Sequence, residues 1–172
     1  LANRRAFNQA MERCFAEAQR HNQNLACVMI DLDGFKQLND TLGHQTGDRM
    51  LERAGRVLEA NCRRMDIAGR FGGDEFVLLL PQTDEPTAFG VAMRVGQEFA
   101  QTASRELQRY DYNIGLTMSL GLATLDRSRP ATPEQLIAYA DDALYRAKQA
   151  GKTRIVIHQR EEQPQSIPLS RG

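Results

Sequence analysis

Three carboxylates in this chain are spaced so that they could share a cation. Asp31 closes the apolar run "NLACVMIDLD", and Asp74 and Glu75 follow paired glycines in "GRFGGDEFVLLLP". If the strands carrying them are neighbours, the acids converge at one edge of a sheet, and a divalent ion relieves their repulsion. Mg²⁺ takes one or two carboxylates and leaves its other positions to substrate phosphates. Spacing alone leaves a bland reading open, and it is the commoner one: solvated acids in turns. Gly72 and Gly73 are open in the same way. They supply positive φ for a tight hairpin, or they keep the backbone bare so that a nucleotide can lie against it.

A second group lies in "FKQLNDTLGHQTGD". Guanine presents two adjacent donors, N1–H and the 2-amino group. A carboxylate such as Asp48 accepts from both, and the amide of Asn39 can help. Adenine lacks that donor pair and would leave the acid unmatched. The alternative is that Asp48 caps a helix after Gly47 and that Asn39 caps or ends one, and by spacing alone capping is the stronger reading. In "AKQAGK", Lys148 and Lys152 lie four apart near a helix C-terminus, on one side of it. There they could neutralise a triphosphate, or simply favour the helix dipole.

The elements that must position these groups follow from periodicity. "NRRAFNQAMERCFAEAQRH" has Phe7, Met11, Cys14, Phe15 and Ala18 at helical spacing. "NLACVMIDLD" reads as a buried strand ending at Asp31 and Asp33. "GFKQLNDTLG" is a short helix closed by Gly43, and "GDRMLERAGRVLEANCR" a longer one. Strands over Ile67–Phe71 and Glu75–Leu80 form a hairpin at Gly72-Gly73. "DEPTAFGVAMRVGQEFAQTAS" is a helix with Phe89, Ala92, Val95 and Phe99 inward. "NIGLTMSLGLATL" is a strand, "TPEQLIAYADDALYRAKQAG" a helix capped by Thr132, and "KTRIVIH" the last strand. The expected fold class is α+β: a mostly antiparallel five-stranded sheet flanked by helices, ferredoxin-like, with an added N-terminal helix.

The 172 residues carry zero formal net charge, with 41% hydrophobic and 26% charged residues. One domain with an ordinary core is expected, and a broadly basic nucleic-acid binder is not. No apolar run is long enough to span a bilayer. Cys14, Cys27 and Cys62 match no metal-ligand spacing and read as reduced, mostly buried thiols of a cytoplasmic protein. The start at Leu1 rather than Met is expected of a fragment. Residues 1–157 form the expected domain, and 158–172 a polar, Pro-containing tail or linker.

Taken in order, these blocks resemble the GGDEF domain, the diguanylate cyclase catalytic domain of bacteria. The resemblance runs from "LANRRAF" through "DLDGFKQLNDTLGHQTGD", "RRMDIAGRFGGDEF" and "TMSLGLA" to "ADDALYRAKQAGK". It implies condensation of two GTP into cyclic di-GMP with release of two pyrophosphates. It implies that Asp31, Asp74 and the Leu32 carbonyl hold Mg²⁺, with Mn²⁺ as a substitute, and that Asp74 or Glu75 takes the 3′-hydroxyl proton. Asn39 and Asp48 would read guanine, with His44 nearby. Gly72 and Gly73 would admit the nucleotide, and Lys36, Lys148 and Lys152 would meet phosphates. One site holds one GTP, so a homodimer is implied.

An R-x-x-D, Arg63 to Asp66, with Arg94 in the following helix, would bind cyclic di-GMP as inhibitor; a surface Arg–Asp pair is the alternative. The family's usual "LTGL" block is reduced to "LANRR". Gly151-Lys152-Thr153 stands where "GRN" is common, which keeps the charge and loses a guanidinium fork. Attached sensor or effector domains, an EAL phosphodiesterase among them, are expected outside this chain, and membrane attachment would come through them. The runner-up function is a non-catalytic module that binds GTP or cyclic di-GMP.

Overall fold

The computed structural model describes residues 1–110 and 115–159. Its centre is β2 (Leu25–Asp33), in which every residue is buried. Side chains alternate along a strand, so β2 feeds two cores. Leu25, Cys27 and Met29 face α1 (Arg4–His21) and α6 (Pro133–Gln149). Ala26, Val28, Ile30 and Leu32 face α3 (His44–Asn61) and α4 (Glu85–Leu107). Asp31 and Asp33 continue the α6 face beyond its apolar stretch.

The sheet has six strands in the order β1-β3-β4-β2-β5-β6. The hairpin strands are β3 (Ile67–Arg70) and β4 (Glu75–Pro81), and β2 lies between β4 and β5 (Thr117–Thr124). These central pairings are antiparallel, and the two outer ones are parallel. β1 (Ala2–Asn3) pairs with β3 and is the strand that the sequence did not announce, because two residues carry no periodicity. β6 (Ile155–Ile157) is shorter than expected.

Register decides what meets at the edge. Asp31 lies opposite Glu75 on one side and Ser119 on the other. α6 rests on Gly121, where any Cβ would collide with the backbone of Ala140 and Leu144. Gly121 pairs with Met29. One helical turn from Leu144 to Lys148 (about 6 Å) matches two strand residues from Met29 to Asp31 (about 6.7 Å). Lys148 therefore arrives over Asp31.

Three expectations need correction. Phe89 is 37% exposed, because the inward stripe of α4 runs through Ala88, Val91, Ala92, Val95 and Phe99. α3 begins at His44, after Gly43 at φ 79, so Asp48 is inside the helix and is not its cap. Strand β5 begins at Thr117; the expected Asn113 and Ile114, like the tail beyond Gln159, lie outside the described residues. The three cysteines are free, and burial pushes the Cys27 thiol up to about 12.

Candidate active site

The tertiary structure brings Asp31 and Asp74 together. The Leu32 N–H donates to the Asp74 carbonyl at 3.2 Å, which ties the end of β2 to the hairpin tip. Lys148 Nζ sits 2.7 Å from Asp31 Oδ2. Burial pushes the Asp31 carboxyl above its usual range, the Lys148 ammonium opposes this, and the charges of Asp74 and Asp33 add to the rise. A cavity of about 450 Å³ has Asp31, Leu32, Asp74, Lys36, Lys148 and Lys152 in its lining. Among the described residues no group of three or more His, Cys, Asp or Glu is arranged to hold a metal ion by itself. Two carboxylates and one carbonyl, facing lysines that suit phosphates, are the donor set that a Mg²⁺ shared with a polyphosphate needs. The residues fit that ion.

Asn39 lies within α2 (Phe35–Leu42), so it is not a cap in front of a helix. Its Oδ1 is buried with no hydrogen-bond partner. A methyl on Gly47 would overlap that oxygen and crowd Cγ. Gly47 in the first turn of α3 is thus the room that Asn39 occupies, a role the sequence did not suggest. Asp48 is exposed on α3 and lines a cavity of about 860 Å³ with Leu51, Arg70, Phe71, Gly72 and Phe76. His44 is exposed at the start of α3 and belongs to neither lining.

The glycine hairpin differs from a left-handed turn. The positive-φ glycines are Gly34, Gly43 and Gly151, so neither Gly72 nor Gly73 uses that freedom. The link is four residues, Phe71 to Asp74, with the Phe71 N–H donating to the Glu75 carbonyl at 2.9 Å. A Cβ on Gly73 would meet nothing within 4 Å. Internal packing does not demand glycine there. A Cβ on Gly72 would come 3.0 Å from Glu75 Oε2, so the Glu75 carboxylate leans over the turn and stays out of the acid cleft. Arg70 holds the turn: its Nε donates to the Gly72 and Gly73 carbonyls at 3.1 and 3.2 Å, and Nη2 to Gly73 at 2.7 Å. The sequence placed Arg70 beside a turn and gave no sign of its grip.

Lys148 belongs to α6, whereas Lys152 lies past its end at φ 64. They do not share a helix face; a turn delivers Lys152 to the cleft. Asp33, buried beneath that turn, accepts from the Thr153 N–H at 3.0 Å.

The Arg63–Asp66 turn is self-contained. The Arg63 N–H donates to Asp66 Oδ2 at 2.7 Å, and the Asp66 N–H to the Arg63 carbonyl at 3.0 Å. The Asp66 carboxylate is occupied by backbone, and the Arg63 side chain is exposed. Arg94 Nε donates to Asn61 Oδ1 at 3.2 Å, and Asn61 is fixed by Glu98 and the Val57 carbonyl. Asn61, the last residue of α3, thus ties Arg94 to that helix, a contact that spacing did not single out.

A ferredoxin-like α+β sheet with acids where its central strand meets a glycine hairpin defines the class of domain. Residues 1–154 match the family model described as diguanylate cyclase, GGDEF domain, and the chain belongs to the GGDEF family. It is 36% identical over 155 residues to diguanylate cyclase DosC of Escherichia coli strain K12, covering 90% of this chain and 33% of DosC. The active GGEEF domain of a diguanylate cyclase from Vibrio cholerae superposes with a TM-score of 0.81 at 30% identity, covering 93% of this chain and 99% of that one. The GGDEF domain of DgcB from Caulobacter crescentus, solved in complex with c-di-GMP, gives 0.79 at 30% identity, covering 92% of this chain and 91% of that one. The chain spans about a third of the length of the curated relatives it matches. Among the described residues no helix is long and apolar enough to cross a membrane.

Proposed function

We propose that this domain is a diguanylate cyclase: it joins two GTP into cyclic di-GMP and releases two pyrophosphates. The observation that carries the reading is the meeting of Asp31 and Asp74 in a cleft faced by Lys36, Lys148 and Lys152. Asp31, Asp74 and the Leu32 carbonyl would hold Mg²⁺, or Mn²⁺ in its place. Bound there, the ion supplies charge stabilisation to the phosphates of the transition state. The lysines neutralise the leaving pyrophosphate. Lys148 is the counter-ion of Asp31 and turns to phosphate when nucleotide enters. Asn39, with its unpaired Oδ1, and Asp48 recognise the guanine donors. Gly73 leaves room for the ribose and phosphates. Asp74 is engaged in the cleft, so Glu75, exposed at the hairpin face, is left to accept the 3′-hydroxyl proton of the second GTP. That second GTP comes from a partner copy across a two-fold axis. Arg63, Asp66 and Arg94 bind the product and inhibit. GTP as substrate and three free thiols suit a cytoplasmic domain.

The test is incubation of the purified domain with GTP and Mg²⁺, with chromatography for cyclic di-GMP and pyrophosphate. Product in about a one-to-two ratio supports the reading, and specific activity should fall on dilution as dimers part. GTP bound without turnover makes the domain a regulatory module instead.

A further inference from the structure

Gly151, Lys152 and Thr153 follow one another at φ 106, 64 and 51. Glycine adopts this left-handed region freely. Lysine is uncommon there, and a β-branched threonine is an outlier. Such a backbone persists only where its surroundings over-determine it. Three grips do so here. The Lys152 N–H donates to the Ala147 carbonyl at 3.1 Å, and Arg154 Nε donates to the Lys152 carbonyl at 3.1 Å. The third grip is Asp33, 6% exposed. Its Oδ2 accepts from the Thr153 N–H at 3.0 Å, and Thr117 Oγ1 lies 2.7 Å from Thr153 Oγ1 while donating to Asp33 Oδ2 at 3.2 Å. Ser119 Oγ is 2.9 Å from both carboxylate oxygens.

We propose that Asp33 is a positioning residue whose buried carboxylate holds the Lys152–Thr153 turn in its strained form and so delivers the Lys152 ammonium to the polyphosphate in the cleft. Asp33 lines that cleft beside Asp31, yet its oxygens are committed to Ser119, Thr117 and Thr153. Its work is to hold the turn rather than to bind an ion. Without the acceptor, Thr153 relaxes toward negative φ and Lys152 leaves the lining. The inference rests on the nucleotide-binding reading above.

The test uses 3′-deoxy-GTP and 3′-deoxy-GDP, which cannot be joined at the 3′ position, titrated calorimetrically with Mg²⁺. Asp33→Ala, which removes the acceptor, should lower triphosphate affinity about tenfold to a hundredfold, the effect of losing one charged contact, and change diphosphate affinity far less. Lys152→Ala should do the same, and the double variant should be no worse than either single. Thr153→Asn in the Asp33→Ala background should restore affinity, because asparagine tolerates the left-handed region. A general structural role for Asp33 would not be rescued this way. In the unaltered protein the Thr153 amide should exchange slowly with solvent, which needs no variant to fold. Unchanged triphosphate affinity in Asp33→Ala, additive losses, or a fast-exchanging Thr153 amide overturns the inference alone. No 3′-deoxy-GTP binding by the unaltered protein overturns the nucleotide reading, and this inference with it.

Discussion

At one end of β3, Arg63 and Asp66 close a turn with each other's backbone, three residues apart. At the other end, Asp31 meets Lys148, and Asp33 meets an amide 120 residues away. About 13 Å along the strand direction, and two strands across the sheet, separate the two sites. The turn is local and exposed, so its side chains are replaceable without disturbing the sheet. The cleft exists only because β2, β4, β5 and α6 keep their register. Function concentrated in the cleft is therefore coupled to the fold, whereas function at the turn is separable from it.

The largest effect should come from Asp31→Ala and Asp74→Ala. Each removes a carboxylate that would hold the Mg²⁺ and should lower the cyclisation rate about a hundred- to a thousandfold; a rate assay with a circular dichroism control checks this. Cyclisation within tenfold of the parent would show that the cleft is not the reacting centre.

Gly47→Ala sharpens the comparison from inside the cleft's supporting helices. The added methyl must displace Asn39, so GTP affinity should fall about tenfold while the helix persists. Equal affinity in a direct titration would mean that Asn39 does not read the base.

Arg63→Ala tests separability. The initial rate should stay within about twofold, as for a surface change away from the core, and inhibition by added cyclic di-GMP should disappear. A collapse of the initial rate would make the turn part of the same machinery as the cleft.

The smallest effect lies at the end of β6. The His158 ring stacks on Tyr139 at 4.2 Å, with Nδ1 buried and unpartnered. Burial holds its pKa below the ordinary 6.5, Asp142 opposing and Arg146 assisting. The unfolded chain then binds the proton more readily, so stability is present above about pH 6.5 and is lost as pH falls through the folded pKa. Tm should decline slightly from pH 7 to 5.5, and His158→Phe should flatten that decline without altering the rate at pH 7.

Much of the scaffold was legible. The nine-residue run of β2, the stripe of α1 and the Thr132 cap are signals carried by adjacent residues, and each element forms where they point. The rest was set by contacts and element boundaries that local rules do not give. Glycines 72 and 73 suggest positive φ, but the turn is shaped by Arg70, whose reach no local rule predicts. Asp48 suggests a cap, but its helix begins at His44, and Asn39 lies in the last turn of α2 rather than in front of a helix. Lys148 and Lys152 suggest a helix face, but α6 stops between them.

Sequence by itself determined the identities of the acids and lysines, the periods of the strands and helices, and the family to which the chain belongs. Those properties are written in neighbours along the chain. Tertiary structure alone decided that Asp31 would face Asp74 and Lys148, that Gly47 would make room for Asn39, and that Asp33 would hold Thr153. These are contacts between distant segments, set by strand register and by the close approach of α6 to Gly121, where a single added carbon would have kept the helix away.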